Sequence, residues 1–306
     1  MLLPDKKSIN QNINLEQWSD KGLLVEMKRE DLLHPDISGN KYRKLKYNLK
    51  EALSQNHSTI LTFGGAYSNH IAATAAAAKL AGLRSIGVIR GEELKEKLDR
   101  VLQENPTLRF AHDQGMSFEF ISREEYRKKN VDNFRLKYGD FTVLPEGGTN
   151  ELAVKGCEEI LSNKDSDFDC VTVCCGTGGT ISGIIRSSRP SQRIIGFPAM
   201  KGGSFLEGEI AQFTEKSNWE LNCDWHFGGY AKVTENLITF INDFKDQTGI
   251  ALDPVYTGKM MFGLDQMIRN NEFAPGTKIL CIHTGGQQAI EGMNKKLKEK
   301  GQNLIR

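Results

Sequence analysis

Four short segments of this chain carry side chains suited to chemistry. Lys41 lies in Ser38-Gly39-Asn40-Lys41-Tyr42-Arg43-Lys44, after a Gly-Asn turn and at the start of an amphipathic stretch with Leu45 and Leu49 on its apolar face. Asp36 and Ser38 precede it as cap-type residues. A lysine amine that can lose its proton near neutral pH condenses with aldehydes, and burial in a cleft or a cationic neighbour brings it into that range. Taken alone, Lys41 reads as one more solvated helix lysine, like Lys44, Lys46 and Lys50, because lysines are mostly exposed. The other three segments change that reading.

Cys175-Gly176-Thr177-Gly178-Gly179-Thr180-Ile181-Ser182-Gly183 follows an apolar run and opens a helical one. Glycines there let several backbone N–H groups converge on one anion, and a helix N-terminus adds positive dipole. The Thr177 and Thr180 hydroxyls can donate as well. The dinucleotide fingerprint fails at Ile181, and a Walker loop fails because Ile184 stands where lysine is required. With no cation of its own in the segment, the cradle suits a phosphate monoester better than a triphosphate. Without a ligand it is a tight β-to-α turn.

Phe63-Gly64-Gly65-Ala66-Tyr67-Ser68-Asn69-His70 leads into an alanine-rich helix. Ser68 is a natural N-cap, and the free N–H groups of the first turn can hold a carboxylate. Asn69 can donate to a phenolate-type oxygen, and His70 can orient a carboxylate or transfer a proton. The plainer reading is a capped helix with an exposed histidine. No Ser-His-Asp spacing suggests an acyl-transfer nucleophile. In Asp253-Pro254-Val255-Tyr256-Thr257-Gly258-Lys259, a threonine at a helix start can hydrogen-bond a pyridine nitrogen and leave it largely unprotonated. Tyr256 can stack on a ring or act as acid or base. Alternatively, Pro254 and Thr257 simply shape the helix start.

These segments need elements to position them. Candidate strands at 59–63, 85–90, 118–121, 170–175, 193–198 and 278–283 alternate with candidate helices at 42–54, 68–81, 124–138, 150–162, 180–187, 233–249, 258–270 and 289–300. That alternation predicts an α/β fold of mainly parallel sheets covered by helices. Glycines follow three of the strands, at Gly64-Gly65, Gly176 and Gly285-Gly286. Ligands of open α/β sheets bind outside the carboxyl ends of strands, so the three turns predict one shared site. Two lobes are expected: a smaller one, 52–151, inserted into a larger one of 1–51 plus 152–306.

The 306 residues carry a net charge of +1, with 39% hydrophobic and 26% charged residues. This is the balance of a globular protein, with no electrostatic case for nucleic acid or membrane as partner. The N-terminus lacks an apolar h-region, and the longest apolar-leaning run, 71–78, is too short to span a bilayer. The six cysteines show no CxxC or metal-ligand spacing. Reduced buried thiols in a cytoplasmic protein, and no metal, are expected.

Read together, the motifs resemble the 1-aminocyclopropane-1-carboxylate (ACC) deaminase/D-cysteine desulfhydrase family of fold-type-II (tryptophan synthase β-like) pyridoxal phosphate (PLP) enzymes. The resembling segments include Lys28-Arg29-Glu30-Asp31, the Lys41, Ser68 and Tyr256 motifs, the glycine cradle and His283-Thr284-Gly285-Gly286. The resemblance implies a two-lobed cytoplasmic homodimer with PLP in the cleft. It implies that Lys41 forms the Schiff base and serves as a base. Asn69 would contact the ring hydroxyl, and Gly176, Thr177, Gly178, Gly179 and Thr180 would hold the phosphate. Ser68, Asn69 and His70 would receive the substrate carboxylate. Tyr256 and Tyr230 would flank the substrate, and Tyr256, Tyr230 or Ser68 would assist proton transfer.

Position 257 divides the family. ACC deaminases carry glutamate there, whereas this chain has Thr257, as D-cysteine desulfhydrases do. The expected reaction is therefore β-elimination from a D-cysteine-like amino acid, giving pyruvate, ammonia and sulfide. ACC deamination is the alternative, and a PLP- or phosphometabolite-binding protein without turnover is a further one. Ala66-Tyr67 and Gln287-Gln288 depart from the family pattern near the expected substrate pocket.

Overall fold

Short runs of β-branched and aliphatic residues, closed by glycine or proline, build two sheets in the computed structural model, which describes residues 3–306. The strands are β1 (Asn10–Asn12), β2 (Leu24–Lys28), β3 (Thr59–Gly64), β4 (Arg84–Arg90), β5 (Met116–Ile121), β6 (Thr142–Leu144), β7 (Cys170–Cys175), β8 (Arg193–Pro198), β9 (Trp219–Leu221) and β10 (Lys278–Ile282). One sheet has the order β1-β2-β10-β7-β8-β9, and the other β5-β4-β3-β6. Only the β1–β2 pairing is antiparallel. The helices that matter below are α1 (Asn40–Ser54), α2 (Asn69–Leu80), α3 (Glu151–Cys157), α4 (Gly179–Ser187), α5 (Glu235–Thr248), α6 (Thr257–Arg269) and α7 (Ala289–Glu299).

Parallel strands covered on both faces should be apolar on both faces, and β7 is. Cys170 and Cys174 join a core with Met27, Phe244 and Leu264. Val171, Val173 and Cys175 point the other way, into a core with Ile181, Ile184 and Ile282. The alanines of α2 serve close packing: Ala73, Ala77 and Ala78 meet Leu45 and Leu49 of α1 in one buried cluster. All four strands of the second sheet fall inside the proposed inserted lobe, 52–151. Among the described residues no helix is long and apolar enough to cross a membrane.

Three differences from the sequence reading have local causes. The single helix expected at 124–138 is two, Arg123–Lys128 and Asp132–Tyr138, because Lys129 turns left-handed at φ +50°. The helix expected at 150–162 ends at Cys157 and continues only as a 3₁₀ turn. β1, β2, β6 and β9 were not expected; β1, β6 and β9 have three residues each, too few to show a period, and the five residues of β2 include Glu26 and Lys28.

Both sheets have a topological switch point, where the chain leaves one strand toward opposite sides. In the larger sheet it lies at the ends of β7 and β10, and in the smaller at the ends of β3 and β6. The start of α1 is tied to the first of these. Gly39 has φ +59°, and a Cβ there would stand 1.8 Å from the Thr284 carbonyl oxygen. The Asn40 N–H donates to that same oxygen at 3.2 Å. Only glycine fits this approach. Gly39→Ala is expected to lower stability by more than about 1 kcal/mol, since strain at positive φ adds to the clash. Denaturant unfolding measures it, and an unchanged midpoint would contradict the contact.

Arg43 fixes the rotation of α1. Its guanidinium forks onto Glu30, Nε to Oε2 at 2.9 Å and Nη2 to Oε1 at 3.0 Å. Both side chains are buried, and a paired, bidentate geometry is what makes a buried charge tolerable. With Arg43 turned toward Glu30, Lys41 and Lys44 face the cavity described next.

Candidate active site

The ends of the strands enclose one cavity of about 590 Å³. Lys41, Ser68, Asn69, His70, Tyr230 and Tyr256 all line it, as do Gly176, Thr177, Gly178 and Thr180. Gly179 and Thr257 do not. Residues as far apart in sequence as Lys41 and Tyr256 are therefore brought together by the two switch points.

The Lys41 amine donates to Asn40 Oδ1 at 3.0 Å. Burial holds its pKa below the ordinary lysine value, partly opposed by Cys157, Cys174 and Asp253. A lysine amine in a cleft that gives up its proton more readily than usual is the kind that adds to a carbonyl.

Lys44 is the residue that sequence reasoning missed. It is not a solvated helix lysine but 2% exposed. Its ammonium donates to the Gly147 carbonyl and to Thr149 Oγ1, each at 2.9 Å, and to Thr177 Oγ1 at 3.5 Å. A Cβ on Gly179 would come within 3.2 Å of it. The glycine cradle therefore does have a cation, supplied by another element, which corrects the expectation that it has none. Burial, and then the nearby Lys41, lower the Lys44 pKa to about 7. The signal was available: Lys41 and Lys44 are three residues apart, on one helix face.

The cradle is built as expected from α4. Gly178 caps it at φ +79°. Thr177 Oγ1 lies 2.6 Å from Thr149 Oγ1, and Thr180 Oγ1 accepts from Asn40 Nδ2 at 2.8 Å. The free N–H groups of the α4 first turn, two hydroxyls and the Lys44 ammonium converge there, a donor set suited to a phosphate.

Ser68 caps α2, its Oγ accepting from the Ile71 N–H. The Asn69 amide has no hydrogen-bond partner among the described residues and stands in the cavity, with Nδ2 2.9 Å from where a Cβ on Gly286 would be. A half-buried amide not committed to the protein is available to a ligand in the cavity. His70 differs from expectation. It is buried, and its Nε2 lies 2.7 Å from Thr62 Oγ1, which itself donates to the Leu144 carbonyl at 3.0 Å. Nε2 therefore carries the hydrogen. Burial, followed by Lys41 and Lys44, pushes its pKa well below the ordinary value. A neutral ring held this way steadies the turn and brings no charge to a carboxylate.

Thr257 also corrects its expectation. Its hydroxyl donates to Asp253 Oδ2 at 2.6 Å and accepts from the Asp253 N–H at 2.9 Å. The Asp253 carboxylate additionally receives the N–H groups of Val255, Tyr256 and Thr257. Thr257 thus serves the turn and is withdrawn from the cavity. The hydroxyl that lines the cavity at the end of β10 is Thr284, with Oγ1 2.9 Å from Cys174 Sγ.

Tyr256 lies beside the cradle: a Cβ on Gly176 would be 3.2 Å from its ring. The Tyr230 ring meets it edge-on, centroids 6.1 Å apart. Burial raises the pKa of both phenols, Tyr256 well above its ordinary value. Both are therefore proton donors at neutral pH. Arg90 and Glu146, at the ends of strands of the four-stranded sheet, line the cavity as well, and Glu146 is paired with Lys129. All six cysteines are free. Burial pushes the Cys174 thiol up to about 12, so it is inert beside Thr284.

A lysine amine, a phosphate cradle with its own cation, an unpartnered amide and a ring-sized space between them fit pyridoxal phosphate. Comparison with known proteins agrees. Residues 13–285 match the family described as pyridoxal-phosphate dependent enzyme. The chain belongs to that family. It is 33% identical over 294 residues to a putative 1-aminocyclopropane-1-carboxylate deaminase of Pyrococcus horikoshii, covering 90% of this chain and 87% of the relative. It is 32% identical over 308 residues to the mitochondrial bifunctional D-cysteine desulfhydrase/1-aminocyclopropane-1-carboxylate deaminase of Arabidopsis thaliana, covering 89% of this chain and 75% of the relative. A crystal structure of an ACC deaminase homologue superposes with a TM-score of 0.77 at 30% identity, covering 98% of this chain and 95% of that one. Within the pyridoxal-phosphate dependent enzymes the chain therefore belongs to the fold-type-II ACC deaminase/D-cysteine desulfhydrase group and is a lyase or deaminase. The alternative of a binding protein without turnover gives way to this result.

Proposed function

We propose that this enzyme carries out β-elimination on a small D-cysteine-like amino acid. Water and D-cysteine would give pyruvate, ammonia and hydrogen sulfide. Bound PLP supplies an electron sink for charge developing at the substrate Cα. Ser68 and the first-turn N–H groups at Asn69 hold the substrate carboxylate. The Asn69 amide orients the ring through its hydroxyl, and Lys44, Thr177 and Thr180 hold the phosphate. The Lys41 amine, lowered by burial, accepts the Cα proton at Nζ. Tyr256 and Tyr230, kept protonated, donate toward the departing sulfur.

The observation that carries the choice of substrate is the neutral wall at the end of β10. Thr284 and Cys174 line it, while the Asp253 carboxylate behind is saturated by Thr257 and three backbone N–H groups. The carboxylates in the cavity, Glu146 and Glu209, stand elsewhere. Glu146 pairs with Lys129, and Glu209 lies beside Gly178. A pyridine nitrogen held against this wall would meet the Thr284 hydroxyl rather than a carboxylate and would stay largely unprotonated. That gives moderate carbanion stabilisation, enough to expel a thiol and poorly suited to opening a cyclopropane. ACC deamination is the second reading, favoured by the names of the relatives above.

A panel of small amino acids, including ACC and both cysteine enantiomers, assayed for ketoacid and sulfide release tests the choice. Sulfide and pyruvate from D-cysteine are expected. Turnover of ACC without D-cysteine would reverse the order. A cytoplasmic homodimer belongs to the same proposal, with sedimentation as its check.

A further inference from the structure

The loop that carries Tyr230 is held by a lysine that none of the chemistry above uses. We propose that Lys259 is a positioning residue whose buried ammonium, by donating to three backbone carbonyls, fixes the loop that presents Tyr230 to the substrate. The inference rests on the reading of Tyr230 as a residue facing substrate.

Lys259 is 2% exposed. Its Nζ donates to the carbonyls of Gly229 at 2.7 Å, His226 at 2.9 Å and Ala199 at 3.3 Å. An ammonium has three donors and no acceptor, so these carbonyls use all of its capacity. No ion pair among the described residues includes it. Burial lowers its pKa to about 8, with Asp253 acting in the opposite direction. At neutral pH the protonated form, with every donor present, is the major one.

The loop needs such an anchor. Phe227 and Ala231 stand at φ +53°, and Gly228 and Gly229 at +91° and +123°. Phenylalanine and alanine adopt left-handed backbone only where surrounding structure over-determines it. On the apolar side, the Phe227 and Trp225 rings pack on Phe262, with centroids 5.0 and 5.5 Å away. On the polar side the anchor is Lys259. Phe262 and Lys259 both belong to α6, whose first residue follows Tyr256 directly. One helix end therefore sets both tyrosines: Tyr256 through the chain, Tyr230 through the lysine. The Ala199 carbonyl adds the segment leading to Met200, another part of the cavity wall.

Lys259→Met keeps the buried stem and leaves three carbonyls without a donor, while Lys259→Gln keeps two N–H donors. In both PLP-loaded variants, hydrogen exchange read by mass spectrometry should accelerate at 226–231 and stay unchanged in β7 and β8. For Met the acceleration should be roughly tenfold or more, the scale of one lost charged hydrogen bond, with Gln intermediate. The absorbance of lysine-bound cofactor should persist. With the best substrate of the panel, Lys259→Met and Tyr230→Phe should lower kcat by similar factors, and the double variant should be no worse than the poorer single.

Unchanged loop exchange, exchange spread through the six-stranded sheet, or failure of both variants to fold would make Lys259 a general stabiliser and overturn the proposal. Losses that multiply in the double variant would also overturn it. The exchange measurement needs no turnover, so a silent substrate panel would count against the proposed reaction and leave this test standing.

Discussion

Lys41→Ala is expected to fold and to lose essentially all turnover. No other cavity group can replace its amine. Burial pushes Tyr230 and Tyr256 upward, so they hold their protons. His70 is buried with Nε2 bound to Thr62. Lys44 is committed to Gly147, Thr149 and Thr177. Among the described residues the Lys41 amine has one hydrogen-bond partner, Asn40 Oδ1, and burial makes its proton easier to lose. Loss of a general base alone costs roughly 10²–10⁴-fold in rate, and the covalent anchor of the cofactor is lost with it. Stability should fall little, because alanine is the best helix former and the one partner lost, half-buried Asn40, keeps its bond to Thr180. The check combines activity with absorbance: the band of lysine-bound cofactor near ~420 nm should be absent in the variant. A variant that keeps the band, or keeps turnover within tenfold, would remove Lys41 from its role.

Much of this architecture was legible because the strongest signals are local. A six-residue apolar run closed by glycine, as at β3 and β7, shows both its length and its end. The mainly parallel pairing follows from alternation with helices. What was not legible depends on which way a side chain turns. Lys44 and Lys46 look alike in sequence. Yet Lys46 reaches Glu159 and Asp5 near the surface, and Lys44 closes the phosphate cradle. The difference is set by Arg43, whose fork onto Glu30 fixes the rotation of α1 across thirteen residues of sequence. Thr257 was misread for a related reason. Its motif was visible, but Asp253, four residues earlier, competes for its hydroxyl and wins because it is already buried with three N–H donors. Thr284 takes the cavity-lining position instead, and only the register of β10 beside β7 brings it there.

Lys44→Met should weaken PLP binding and abolish a pH dependence that the wild type shows. Without phosphate, the Lys44 pKa is about 7, lowered by burial and by Lys41. A phosphate dianion beside it favours the charged form, so its pKa rises on binding. Between the two values, binding takes up a proton. Apparent affinity is therefore full below about pH 7 and declines as pH climbs above it. Methionine fills the same space without charge. A lost charged hydrogen bond of roughly 1.5–3 kcal/mol corresponds to about 10–150-fold in affinity. Because Lys41 is kept in the variant, its own titration is common to both proteins, and the difference between them isolates Lys44. Titrating apo-protein with PLP at pH values on both sides of that pKa gives the comparison. The wild type should lose affinity toward the alkaline side and approach the variant there. A variant curve parallel to the wild type would mean that the phosphate never meets this ammonium, and kcat at saturating PLP should change far less than affinity, since Lys44 contacts the cradle and not the substrate.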